Sequence, residues 1–134
     1  MFDIPTFNVD KPLKEAMNAA AKKCGKSRAV IVDQMNDLAE RFGVKLVTGN
    51  GESLTQDTLE KWLNPQETCR QIPVRALPIF CAIVSDSSPM DILAKPLGFR
   101  VIGPEEQELI VWARNKQTVR KSSRIARKIE AKWD

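Results

Sequence analysis

An all-α fold is predicted for this chain, on three observations. Apolar residues recur at three- and four-residue spacing in successive segments, the period of a helix buried on one side. Those segments are bounded by helix-start and helix-stop residues: Ser27, Thr55 and Ser88 at the beginnings, Gly25 and Gly43 at the ends. The apolar fraction of the 134 residues is 43%, with no run long enough to span a bilayer, as expected for one soluble core and an appendage.

The first helix is expected over residues 11–24. Asp10 is a candidate N-cap, Pro12 is tolerated in the first turn, and Leu13, Met17, Ala20 and Cys24 share a face. The second is expected over 28–42, capped by Ser27 and closed by Gly43, with Val30, Ile31, Met35, Leu38, Ala39 and Phe42 in register. A long connection, RFGVKLVTGNGES, follows. Val44, Leu46 and Val47 suit a short extended piece, and Gly49-Asn50-Gly51 is a turn signal, so a hairpin-like wing is one expectation here.

"LTQDTLEKWLNP" then reads as a short third helix capped by Thr55 and ended by Asn64-Pro65. Leu54, Thr58, Leu59, Trp62 and Leu63 line one face. Gln56, Asp57, Glu60, Lys61 and Asn64 line the other. A fourth helix is expected over 74–84, provided Pro78 lies near its first turn. A fifth starts at Ser88 as N-cap and Pro89 at the first helical position, and Pro96 should end or kink it. FRVIGP is a short strand or a connector. From Pro104 a basic C-terminal helix or tail begins, which divides the chain into a domain at 1–103 and an extension at 104–134.

Composition argues against an enzyme. The chain has no histidine, which removes the usual general base and the Ser-His and Cys-His nucleophile pairs. No glycine-rich phosphate loop is present. Cys24, Cys69 and Cys81 are odd in number and lack CxxC spacing, so reduced thiols are expected, with no metal and no cofactor. The N-terminus lacks the basic and apolar regions of a secretory signal, and a cytoplasmic location is the expectation.

Charge is unevenly placed. Residues 1–113 hold 13 Lys/Arg and 15 Asp/Glu, whereas 114–134 hold 8 and 2. A basic tail is a common footprint of nucleic-acid binding, and a solvated helix face is the plain alternative. The tail candidates are Arg114, Lys116, Arg120, Lys121, Arg124, Arg127 and Lys128.

A capped second helix, a glycine-containing connection and a short capped third helix suggest a helix-turn-helix. The stretch "LTQDTLEKWLNP" resembles the third helix of lambda-repressor-like heads, where a T-x-x-T-L-x-x-W-L pattern recurs. With "SRAVIVDQMNDLAERFG" before it and "IPVRALPIFCAIVSDSSPMDILAKPLGFRVI" after it, the chain is similar over about residues 10–103 to CII-like regulators of temperate or transposable phages. That resemblance implies a five-helix head that binds double-stranded DNA as a homodimer or higher oligomer. Lys26, Ser27 and Arg28 then stand where such heads hold a phosphate on a helix N-terminus. Thr55, Gln56, Asp57 and Lys61 stand where bases are read. Lys45 on the connection, and Arg70 and Arg75 flanking the fourth helix, are placed for backbone contacts.

Two departures matter. The connection is far longer than the turn of a standard helix-turn-helix. The exposed face of the third helix carries Asp57 and Glu60 against Lys61, a poor electrostatic match to phosphate. A phage-derived, non-enzymatic DNA-binding regulator is therefore one expectation. A degenerate domain that keeps the fold and binds another protein is the other. No membrane association is expected.

Overall fold

The computed structural model describes residues 7–48 and 53–133, with side-chain surroundings through residue 120. The fold is all-α. Among the described residues the helices are α1 (Asp10–Lys23), α2 (Arg28–Phe42), α3 (Gln56–Leu63), α4 (Leu77–Val84), α5 (Ser88–Ala94) and α6 (Pro104–Trp133), with 3₁₀ turns at Val74–Ala76 and Lys95–Leu97. The chain forms two compact units, Met1–Val101 and Ile102–Asp134. No helix among the described residues is long and apolar enough to cross a membrane.

Helix ends follow local chemistry. Ser27 accepts from the Val30 N–H at 3.2 Å and Thr55 from the Thr58 N–H at 3.2 Å, each replacing a bond the first turn lacks. Gly43 ends α2 in the left-handed conformation at φ 67°, donating to the Ala39 and Glu40 carbonyls. Two starts differ from expectation. Asp10 is the first helical residue of α1 and not its cap, since Val9 takes that place without a side-chain bond. At α5 the capping group is Asp86, whose carboxylate accepts from the Ser88 N–H at 2.9 Å and the Ser88 hydroxyl at 2.6 Å. Those two bonds hold the Asp86 carboxyl below the usual range.

Prolines set the remaining breaks. The segment expected as one helix over 74–84 divides into the 3₁₀ turn Val74–Ala76 and α4, which puts Pro78 in the first turn of α4, where its missing N–H costs nothing. Pro96 likewise converts the end of α5 into the turn Lys95–Leu97. No strand forms among the described residues of the connection between α2 and α3, nor at 99–103. The hairpin reading of the connection is corrected accordingly; its Gly49-Asn50-Gly51 tip lies outside the described residues.

A side chain holds the end of this connection. Asn36 of α2 donates to the Leu54 carbonyl at 3.0 Å and accepts from the Leu54 N–H at 2.9 Å. One amide thus satisfies both polar groups that a β-ladder would have used. Leu46 and Leu54 turn inward on either side of this clamp, 4% and 2% exposed, and join the core.

In the first unit, α3 packs on α1 and α2, α1 on α5, and α2 on α4. Met17, Ile31, Met35, Leu59 and Phe80 are fully enclosed at their centre. Lys14 is buried with them at 2% exposure. Its Nζ donates to the Lys61 carbonyl at 2.7 Å and the Arg70 carbonyl at 2.5 Å, fastening α1 to the last turn of α3 and to the loop beyond it. Burial lowers its pKa from the ordinary lysine value, opposed by the charges of Glu67 and Asp10.

A Lys14→Met variant keeps most of the packing and leaves two carbonyls without their donor. It is expected to lose about 1–3 kcal/mol of stability, read as a lower urea midpoint at unchanged slope. A midpoint equal to the parent's would mean that water replaces the ammonium at no cost.

Candidate nucleic-acid interface

The cations predicted near the start of α2 are already engaged by the protein. Lys26 donates to Gln34 Oε1 at 2.7 Å and to the Ile83 carbonyl at 2.9 Å, joining α2 to the end of α4. Arg28 reaches across to α3 and α1: its Nε lies 3.1 Å from Glu60 Oε1 and its Nη2 donates to Asn18 Oδ1 at 2.8 Å. Arg28 Nη1 is buried without a partner. Ser27 serves as the α2 cap. These three residues therefore brace helices, and only Lys26 and Ser27 are exposed.

On α3 the charges are also internally matched. Lys61, the one cation of this helix, sits 3.1 Å from Asp57 Oδ2 one turn earlier. Glu60 is held by Arg28. Thr55, Gln56 and Asp57 are exposed at the N-terminal end, as a base-reading position requires, while Thr58 is half-buried. The apolar side is closed: Leu59, Trp62 and Leu63 are 0%, 3% and 1% exposed.

A cleft of about 590 Å³ opens beside the start of α3, lined by Val47, Thr48 and Ser53 of the connection, Thr55, Thr58 and Trp62 of α3, and Cys69, Arg70, Gln71 and Pro73 of the following loop. Arg70 is exposed, and its backbone is fixed by Lys14. Arg75, also exposed, donates through Nε to the Lys45 carbonyl, which brings Lys45 and Arg75 together at the other end of the same loop. The cations around α3 thus come from flanking segments. An anion at the cleft would meet the Arg70 guanidinium, the threonine and serine hydroxyls, and the positive end of the α3 dipole.

The three thiols are free. Cys24 and Cys81 are half-buried and Cys69 is exposed, so the cysteines do not all behave as core residues. Burial pushes the Cys81 thiol up to about 11, with the Asp86 charge adding to the shift and the Met90 N–H opposing it. Cys81 is therefore a protonated, unreactive thiol near neutral pH.

In the second unit, α6 is continuous over its 30 residues. Arg114, Lys116 and Arg120 are exposed, and Lys116 Nζ lies 4.9 Å from the centre of the Trp112 ring. Lys121, Arg124, Arg127 and Lys128 continue the same helix, and their side chains lie outside the described residues. At 3.6 residues per turn, the seven basic positions from 114 to 128 fall on one broad arc. Positions 112, 119, 126 and 133 repeat every seven residues along the opposite side.

Sequence reasoning missed Lys14, Asn18 and Asn36, which hold the site in place. A signal existed for Lys14: it shares a helical face with Met17 and Ala21. Nothing local marks Asn18 or Asn36. Compared with known protein families, with curated proteins and with solved structures, the chain has no significant match.

Proposed function

We propose that this chain is a phage-derived, CII-like DNA-binding regulator with a lambda-repressor-like helix-turn-helix head, acting without catalysis in the cytoplasm as a homo-oligomer. The observation that carries this reading is α6, a continuous helix whose basic positions lie on one arc, in a chain whose first 113 residues are slightly acidic. Phosphate attraction supplies most of the affinity of such proteins, and a basic helix supplies it without sequence preference. The exposed N-terminal residues of α3, flanked by Arg70 in the cleft, are the part of the head suited to reading groove edges. The test is selection from random duplexes by the full chain. Enrichment of a common sequence is the expected result, and failure to retain any duplex at low salt rejects the reading.

A second reading has one observation in its favour. Both acids of α3 are paired with cations of the protein itself, and the helix offers DNA no spare positive charge. That pattern suits a degenerate head that docks on another protein. Asp57→Asn separates the two. It releases Lys61 and removes a charge that repels phosphate, so duplex affinity is expected to rise by about threefold or more, roughly 0.7 kcal/mol. Unchanged affinity in fluorescence anisotropy demotes α3 to scaffold and favours protein docking.

A further inference from the structure

The cleft between the connection, α3 and the loop after α3 has a charge pattern that the packing does not explain. Its described lining carries one cation and no carboxylate: Arg70 and Gln71 come from the loop, and the hydroxyls of Thr48, Ser53, Thr55 and Thr58 from the connection and α3. Arg28 and Lys61 are matched by Glu60 and Asp57, whereas Arg70 forms no ion pair among the described residues. Arg70 is also firmly placed. Its carbonyl accepts from Lys14 Nζ at 2.5 Å, and Lys14 is buried. That ammonium fixes the backbone from which the guanidinium projects, and it sets a second positive charge behind the wall.

The donors around Arg70 are side chains. Thr55 Oγ1 accepts from the Thr58 N–H at 3.2 Å and donates to Thr58 Oγ1 at 3.1 Å. A hydroxyl has one hydrogen to give, so the Thr58 hydrogen is left for an acceptor in the cleft. A guanidinium beside hydroxyl donors, with no carboxylate, matches a tetrahedral oxyanion. The rest of the lining is apolar, from Val47, Trp62 and Pro73. The volume, about 590 Å³, is more than a bare ion fills. Pockets of roughly 300–1,000 Å³ hold small organic ligands.

We infer that this cleft binds a small phosphomonoester, with its phosphoryl group on Arg70 and the neighbouring hydroxyls and its organic body against Val47 and Pro73. The site does not rest on the DNA reading. A duplex phosphate is the other source of the same chemistry, and the test has a separate arm for it.

Cys69 is exposed and lines the cleft, so its alkylation reports occupancy. The full chain is treated with iodoacetamide at constant ionic strength, and peptide mass spectrometry follows Cys69 with Cys24 as the internal reference. Phenyl phosphate is expected to slow modification of Cys69 and not of Cys24, with half-protection below about 1 mM. Inorganic phosphate is expected to protect more weakly. Arg70→Gln is expected to raise the half-protecting concentration at least about tenfold, the loss of one charge-assisted contact, at an unchanged urea midpoint. Absence of protection at about 10 mM phenyl phosphate, well above that constant, overturns the proposal. So does equal protection by sodium sulfate, or protection that persists in Arg70→Gln. Protection by a short duplex alone assigns the cleft to a backbone phosphate and overturns the small-molecule site. Protection by phenyl phosphate in a chain that retains no duplex upholds the site while the DNA reading fails.

Discussion

Replacing Trp62 by alanine is expected to cost about 3–5 kcal/mol of folding stability, the range for truncating a large enclosed aromatic. The total stability of a domain this size is on the order of 5–15 kcal/mol, so much of the population would be unfolded near physiological temperature. Trp62 is 3% exposed and packs in the core with Leu59 and Leu63, which attach α3 to α1 and α2. The eight residues of α3 are too few to hold a helix without that attachment. Urea denaturation followed by far-ultraviolet circular dichroism measures the effect. Trp62→Phe should recover most of the loss, because it restores an apolar ring to the same space. A midpoint change no larger than that of a surface substitution would remove Trp62 from its role as anchor of α3.

The second large effect is expected in α6. Changing Arg114, Lys116, Arg120, Lys121, Arg124, Arg127 and Lys128 together to glutamine keeps good helix formers and removes seven positive charges. If each touches a phosphate, the slope of log K against log salt falls by about 6, at roughly 0.9 per contact. Affinity for duplex near 50 mM salt should then fall by a factor on the order of a thousand or more. Anisotropy titrations at four or five salt concentrations give both quantities. A slope equal to the parent's would show that the basic arc is a solvated face.

The two variants probe different levels of organisation. Trp62 acts through packing, which is non-directional and depends on volume. The tail acts through charge at the surface, which salt screens over about 10 Å at 0.1 M. A protein that loses DNA with the tail variant, and gains it with Asp57→Asn, uses α6 for affinity and α3 for choice of site.

The sequence by itself determined the helices and several of their ends, because those depend on residues within about one turn; the starts of α1, α4 and α5 it misplaced. The Ser27 and Thr55 caps, the stop at Gly43 and the break at Pro96 lie at the positions that local chemistry predicts. It also showed the apolar side of α3 and the concentration of positive charge after residue 113. Only the tertiary structure decided which polar side chains remain available. Lys26 reaches the Ile83 carbonyl across 57 residues, Lys14 the Lys61 and Arg70 carbonyls across 47 and 56, and Asn36 clamps Leu54 across 18. Arg28, which the resemblance set against phosphate, is held by Glu60 and Asn18. Most buried or half-buried polar groups find a partner, and the partner is chosen by which backbone or side chain passes nearby in the folded chain. No spacing along the sequence encodes that choice, which is why the helices of this protein were legible and the occupancy of its cations was not.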